Sequence, residues 1–306
     1  MSLTIDQQRA LEELDFRLRT VLPEEYQDAY ETMEPTPMGS AGLKYAADGS
    51  VAWNEIWGSF CDLAMAGGPP HKGTLLEAGT PADIAARPDR YREVVDEICR
   101  GITMVTDMMA REAPEPGWVR VSAFSDVMAG WLVRAIGTEN VAVRAEGMSL
   151  DLPASPAFRL EKEIKNVITV IAKTSHYWTA HMPRGQRLAI QHLFTELETS
   201  LPLIQPALSP DGVRPAAEAA LYAGVADRIC RHTGLVASPH QYAGWLGLTC
   251  ATVNTAVWMM RALVVSNVLA RREGVVLFVP VNASADPNGG RVAESVVRLH
   301  RLTSAR

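Results

Sequence analysis

Cysteine is scarce and dispersed in this chain. The four, Cys61, Cys99, Cys230 and Cys250, include no CxxC pair, which argues against a disulfide framework or a zinc knuckle and points to a reducing, cytoplasmic setting. Long apolar runs are also missing. The most apolar stretch, residues 256–270, is interrupted by Arg261 and followed by Arg271 and Arg272. It is shorter than the roughly 20 residues needed to span a bilayer and reads as a buried helix. Asp6, Arg9, Glu12, Glu13, Asp15 and Arg17 break up the N-terminal segment, so no signal-peptide hydrophobic region is expected there. Positive charge is in deficit, with 29 lysines and arginines against 35 acids and a net charge of −6. That removes the usual driving force for nonspecific binding to nucleic acid or an anionic membrane, and neither is expected as a partner. No glycine spacing matches a Walker loop or a dinucleotide fingerprint, so the cofactor is unknown and no motif names a reaction.

What the chain does contain is an internal repeat. Sliding it by 127 residues lays residues 117–153 on residues 244–280 without a gap, and 13 of the 37 positions are identical, where unrelated segments of ordinary composition share about two or three. Trp118/Trp245, Trp131/Trp258, Arg134/Arg261, Asn140/Asn267, Arg144/Arg271 and Gly147/Gly274 are among the matched pairs. Upstream the offset becomes 131, and Tyr91, Val94, Asp96, Ile98, Cys99 and Arg100 fall on Tyr222, Val225, Asp227, Ile229, Cys230 and Arg231. The difference lies near residues 112–116, a proline-containing stretch whose loop chemistry tolerates insertion. The chain therefore reads as an N-terminal helix and acidic connector over residues 1–50, a first copy over residues 51–174 and a second over residues 175–306.

Within the first copy, apolar residues at Val94, Val95, Ile98, Ile102, Val105 and Met109 have the spacing of an amphipathic helix over residues 89–110. Residues 118–121 alternate as a short strand, Ser125 is placed to cap the next helix, and residues 140–144 and 149–152 flank a Glu146-Gly147 turn. A final helix covers residues 161–173. Each copy is thus expected to run helix, strand, helix, strand, strand, helix, an α+β unit with a three-stranded sheet. Such a small sheet leaves apolar surface uncovered. The expectation is that the two tandem repeats pack against each other with pseudo-twofold symmetry, because no flexible linker separates them. Thr4 with Gln7 forms a capping-box pattern for the N-terminal helix, and Asp48-Gly49 suggests a short hairpin.

Residues kept in both copies are explained most simply by the fold. Arg134 and Arg261, three residues after a tryptophan, read as arginines lying over an indole, and Cys99 and Cys230 as small buried hydrophobes. Chemistry is sought where the copies differ. Gly67-Gly68-Pro69-Pro70-His71-Lys72-Gly73 occurs once, after an expected apolar helix over residues 53–66. Its glycines and prolines would hold His71 and Lys72 on a stiff loop suited to a carboxylate or phosphate. The second asymmetric stretch runs from Glu161, paired with Lys165, to Lys173-Thr-Ser-His176-Tyr177-Trp178-Thr-Ala-His181. Tyr177, Trp178 and His181 share a helix face, whereas His176 and His181 stand about 140° apart on a straight α-helix, too far round to ligate one metal.

The leading expectation is a small-molecule enzyme with one asymmetric site for a small anionic molecule. His71, His176 and His181 are the candidate catalytic residues, and Gly68, Lys72, Lys165, Lys173, Tyr177 and Trp178 the candidate ligand-binding residues. Two alternatives stand beside it: a noncatalytic metabolite- or cofactor-binding module with a tryptophan-walled groove between the repeats, and a single metal site drawing on Cys61, His71, His176 and His181. Self-association into a homo-oligomer is compatible with any of them.

Overall fold

Short β-rich segments alternate with amphipathic helices, and the product is a mixed α+β chain. The structure is a computed structural model that describes residues 4–27, 42–56, 62–200, 202–207, 216–240 and 242–303. In chain order the elements are α1 (Ile5–Val21), α2 (Glu24–Gln27), α3 (Pro81–Ala86), α4 (Pro88–Thr106), β1 (Ala110–Glu112), β2 (Trp118–Ser122), α5 (Asp126–Thr138), β3 (Arg144–Glu146), β4 (Ser149–Pro153) and α6 (Lys165–His176). They continue with α7 (Arg184–Ser200), α8 (Ala216–Thr233), β5 (Val236–Ala237), β6 (Trp245–Thr249), α9 (Val253–Val264), β7 (Arg271–Glu273), β8 (Val276–Pro280) and α10 (Gly290–Thr303). Among the described residues no helix is long and apolar enough to cross a membrane. The chain divides into a central unit, Thr32–Pro183, and a flanking unit formed by Met1–Glu31 with Arg184–Arg306.

In the central unit the strands form an antiparallel sheet in the order β1-β2-β4-β3. It has four strands where the sequence suggested three. The helix expected over residues 89–110 stops at Thr106, because Asp107 takes a left-handed φ of 57° and turns the chain back. That frees Ala110–Glu112 to pair with Val119–Val121 at the sheet edge. The strand expected over residues 140–144 likewise begins later, at Arg144. Asn140 is left-handed with φ 60°, and Val141 instead makes a parallel bridge to Leu76.

Ser125 caps α5 as expected, its hydroxyl accepting the Met128 N–H. Tyr91, Val94, Val95, Ile98 and Ile102 bury the inner face of α4, which packs on α6. Over the described part of residues 53–66 there is no α-helix, only the 3₁₀ turns Trp53–Glu55 and Ala64–Ala66. Around Asp48-Gly49 a single antiparallel bridge joins Tyr45 to Val51.

The flanking unit has a second antiparallel sheet, β5-β6-β8-β7. Trp245 pairs with Pro280 in it, as Trp118 pairs with Pro153 in the other. Asn267 has φ 60°, Gly274 shares φ 55° with Gly147, and Val268 makes a parallel bridge to Ile204. Helix α1 opens on the capping box of Thr4 and Gln7 and packs on α7 and α9. Cys230 is exposed, contrary to the sequence reading, because the buried stripe of α8 runs through Tyr222, Val225 and Ile229 and leaves its neighbour outside.

The two sheets treat a matched charge differently. In the central unit Asp151, 2% exposed, accepts from Arg120 at 2.7 and 2.9 Å and from Arg144 at 2.7 Å. Burial pushes its carboxyl up, but the two guanidiniums outweigh that and hold it below the usual carboxylate range. In the flanking unit the 127-residue offset puts Phe278 at this position. There Arg271, fully buried, lies 4.0 Å from the Phe278 ring centroid, 4.5 Å from Tyr242 and 5.1 Å from Trp245, and pairs with Glu273. Replacing Asp151 by Asn strips the buried counter-charge from Arg120 and leaves Arg144 with only the exposed Glu115, and should cost about 3 kcal/mol of stability, read by urea denaturation at pH 7. A loss below about 0.5 kcal/mol would mark the cluster as solvent-screened.

Candidate functional site

The loop of the central unit that carries His71 is built as the glycine and proline pattern implies. Gly67 takes a left-handed φ of 104° at the end of the Ala64–Ala66 turn. A Cβ on Gly68 would fall 2.7 Å from the Asp62 carbonyl oxygen, so Gly68 serves the tight turn itself. A Cβ on Gly73 would meet nothing, and no close backbone approach requires glycine there.

What fixes the loop is a carboxylate that the sequence reading passed over. Glu139 follows the last residue of α5, is fully buried, and accepts from the Ala64 N–H at 2.9 Å, the His71 N–H at 2.8 Å and the Lys173 Nζ at 2.7 Å. Its backbone carbonyl accepts from the Lys72 N–H, and the Asn140 side-chain amide donates to the Lys72 carbonyl. The left-handed turn at Asn140 thus presents side chain and backbone together to one strand of loop. In the offset register Glu139 falls on Ser266. A charge set against a serine directly before the matched Asn140/Asn267 and Val141/Val268 pairs was the available signal.

Lys173 on α6 is fully buried and joined to Glu139, so it is a structural cation before it is a ligand contact. His71 lies beside this pair. Both of its ring nitrogens are shut off from solvent and have no hydrogen-bond partner of good geometry among the described residues. The imidazole is held down at about 3, first by burial and then by Lys173, with the nearby Asn166 side chain opposing and Lys72 and Lys165 adding to the fall. Lys72 is also lowered, first by burial and then by Lys162, with Glu163 opposing and Arg159 adding. Of the expected site residues, His71, Lys72, Lys165 and Lys173 therefore share one electrostatic neighbourhood. Just before α6, residues Leu160–Ile164 form a π-helical turn, and Glu163 of this turn pairs with Arg159.

His176, Tyr177 and His181 form a second grouping at the C-terminal end of α6. Here the helix changes to a π-helical turn, Tyr177–His181, whose wider winding brings residues five apart onto one face. The 140° separation expected for a straight helix is thereby removed: the two Nε2 atoms are 3.2 Å apart, and the Tyr177 ring centroid lies 5.2 Å from that of His181. Trp178 is buried at 5.8 Å from Trp131, a core contact. Arg134 is likewise buried and donates to the Gly130 carbonyl. Among the described residues no group of three or more His, Cys, Asp or Glu could hold a metal, and Cys61 lies outside those residues. Burial pushes the Cys99 thiol up to about 12 and Cys250 up to about 11, which leaves both unreactive at neutral pH. Comparison with protein-family models, curated proteins and solved structures finds no match to this chain.

The position of His71 has a pH consequence. The imidazole stays neutral in the folded protein down to about 3 but charges at 6.5 once unfolded, so as pH falls the unfolded chain takes up the proton first. Stability from this group is complete above pH 6.5 and declines by about 1.4 kcal/mol per unit below it, until about pH 3. His71→Leu removes that slope. Its unfolding free energy relative to wild type should rise by about 1.4 kcal/mol between pH 6 and pH 5 in urea titrations, and parallel pH profiles would show that the imidazole is not held neutral.

Proposed function

We propose that the central unit binds a small anion at one site, where the 62–76 loop meets α6, with His71 and Lys72 as the contacting groups. The observation that carries this reading is the electrostatics of His71, a buried imidazole without a good hydrogen bond, kept neutral by burial and by Lys173, Lys72 and Lys165. Negative charge placed there would satisfy a ring nitrogen, offset the lysines and raise the imidazole's proton affinity. Binding is then coupled to proton uptake. The same shift makes His71 a feeble base in the free protein, which favours a binding role over proton-transfer catalysis. We further infer that the two units are copies of one ancestral unit. The 13 identities, the shared strand order and the paired left-handed Asn140 and Asn267 support this, and the site then belongs to one copy because Glu139 has become Ser266 in the other.

Calorimetric titration with inorganic phosphate and with succinate tests the reading, run at pH 6 in two buffers of different ionisation enthalpy. One anion per chain should bind with uptake of a fraction of a proton, and His71→Leu or Lys72→Ala should weaken binding at least tenfold, about 1.4 kcal/mol. No binding of either probe, or unchanged affinity in both variants, overturns it.

A second reading rests on a separate observation, the 3.2 Å between the Nε2 atoms of His176 and His181. Two imidazole nitrogens on one ion at roughly 2.0–2.1 Å lie about 3 Å apart, so the π-helical turn can chelate a metal that favours imidazole, such as Cu²⁺ or Ni²⁺. Cu²⁺ titration followed by its visible absorption should give one ion per chain in wild type and none in His181→Gln. Equal binding by the two proteins rules out the chelate.

A further inference from the structure

In the flanking unit, α1, α8 and α10 line an open cavity of about 680 Å³, inside the roughly 300–1,000 Å³ typical of small-molecule sites. Its floor is apolar and made of short side chains: Ala10 of α1 and Ala293 and Val297 of α10 keep the helices from filling the space. Residues 293 to 302 of α10 line it, a reach of about 13 Å at the helical rise. Its rim is cationic. Arg228 stands one turn before His232 on α8, and Arg298 three residues before Arg301 on α10, spacings that set each pair on a common face. No hydrogen bond or ion pair joins Arg228, Arg298 or Arg301 to a described residue. Among the described residues the carboxylates lining the cavity are Asp6 and Glu294. The three arginines against these two acids leave an excess of one positive charge, a balance suited to a monoanion.

The corresponding helix face in the central unit is occupied. The register that lays Tyr91 on Tyr222 sets Glu97 against Arg228 and Gly101 against His232. Glu97 accepts the indole N–H of Trp53 at 2.7 Å, and Trp53, fully buried, lies against Gly101, where a Cβ would come within 3.1 Å of its ring. One face of this helix is thus plugged by a tryptophan and the other is hollow and ringed by arginine.

We propose that this cavity binds a monoanionic amphiphile, with its carboxylate at the arginine rim and its chain along Ala293 and Val297. Arginine suits this task because its planar fork bonds a carboxylate bidentately, while burial of the chain supplies about 0.8 kcal/mol per methylene. The site lies in a different unit from the anion site proposed above and is independent of it.

Decanoate and decanol, an uncharged probe of equal chain length, separate the contributions by calorimetry below their aggregation limits. Decanoate should bind with a stoichiometry of one and at least tenfold more tightly than decanol. Arg228→Gln with Arg298→Gln should weaken decanoate at least tenfold and leave decanol unchanged, Val297→Trp should abolish binding of both, and His71→Leu should alter neither. The proposal is overturned if decanol binds as tightly as decanoate, if decanoate does not bind, or if the arginine variant keeps wild-type affinity.

Discussion

The buried pair of Glu139 and Lys173 is the constraint on which the central unit's loop depends. Removing a carboxylate and an ammonium from water costs several kcal/mol per ion, and their mutual attraction repays this only when the remaining lone pairs are also satisfied. Glu139 meets that condition by taking two backbone amides as well as the lysine. Those amides belong to Ala64 and His71, residues on either side of the Gly67 turn, so the carboxylate that satisfies Lys173 also closes the loop and sets where the His71 ring points. The same interaction bears on the imidazole's electrostatics, since burial is the first cause of its low proton affinity and the cation that Glu139 holds in place is the next.

A pair of this kind is not an efficient way to stabilise a core, because apolar side chains of similar volume often do as well or better. The flanking unit illustrates the alternative. Where the central unit has Glu139 it has Ser266, and where the central unit neutralises a buried carboxylate with two arginines, Arg271 is enclosed by three aromatic rings and Glu273. An aromatic face offers a desolvated guanidinium about 2 kcal/mol, so the rings around Arg271 help to offset its burial beside Glu273. The price of the central unit's arrangement is therefore best understood through what it positions, a stiff basic loop with a neutral histidine inside it.

Local signals revealed the strands and turns well. Gly147 and Gly274 mark hairpins through their positive φ, Ser125 announces a helix start, and Gly67 announces a helical stop. Features that depend on distant partners were not legible. Ala110–Glu112 is three residues long and becomes a strand only by pairing with β2, so its own side chains read as the tail of α4. Glu139 looks like an ordinary polar residue at a helix end, and its partner lies 34 residues away on another element. The π-helical turn at Tyr177–His181 was invisible for another reason: its residues have ordinary helical character, and only the change in winding alters which side chains meet.

That last case shows why helix periodicity is a weak guide to chemistry at helix ends. Lys173, Thr174 and Ser175 are buried and keep regular α-helical winding, with Thr174 and Ser175 bonding back to carbonyls of the preceding turn. Beyond them Trp178 must reach the core to meet Trp131 while His176 and His181 remain toward solvent. Trp178 shares the buried side of Ile171, Thr174 and Ser175, as the spacing of a regular helix already places it, while the residue added to the circuit carries His181 round to His176. The change in winding thus sets the geometry of a histidine pair that no spacing rule for a straight helix would have joined.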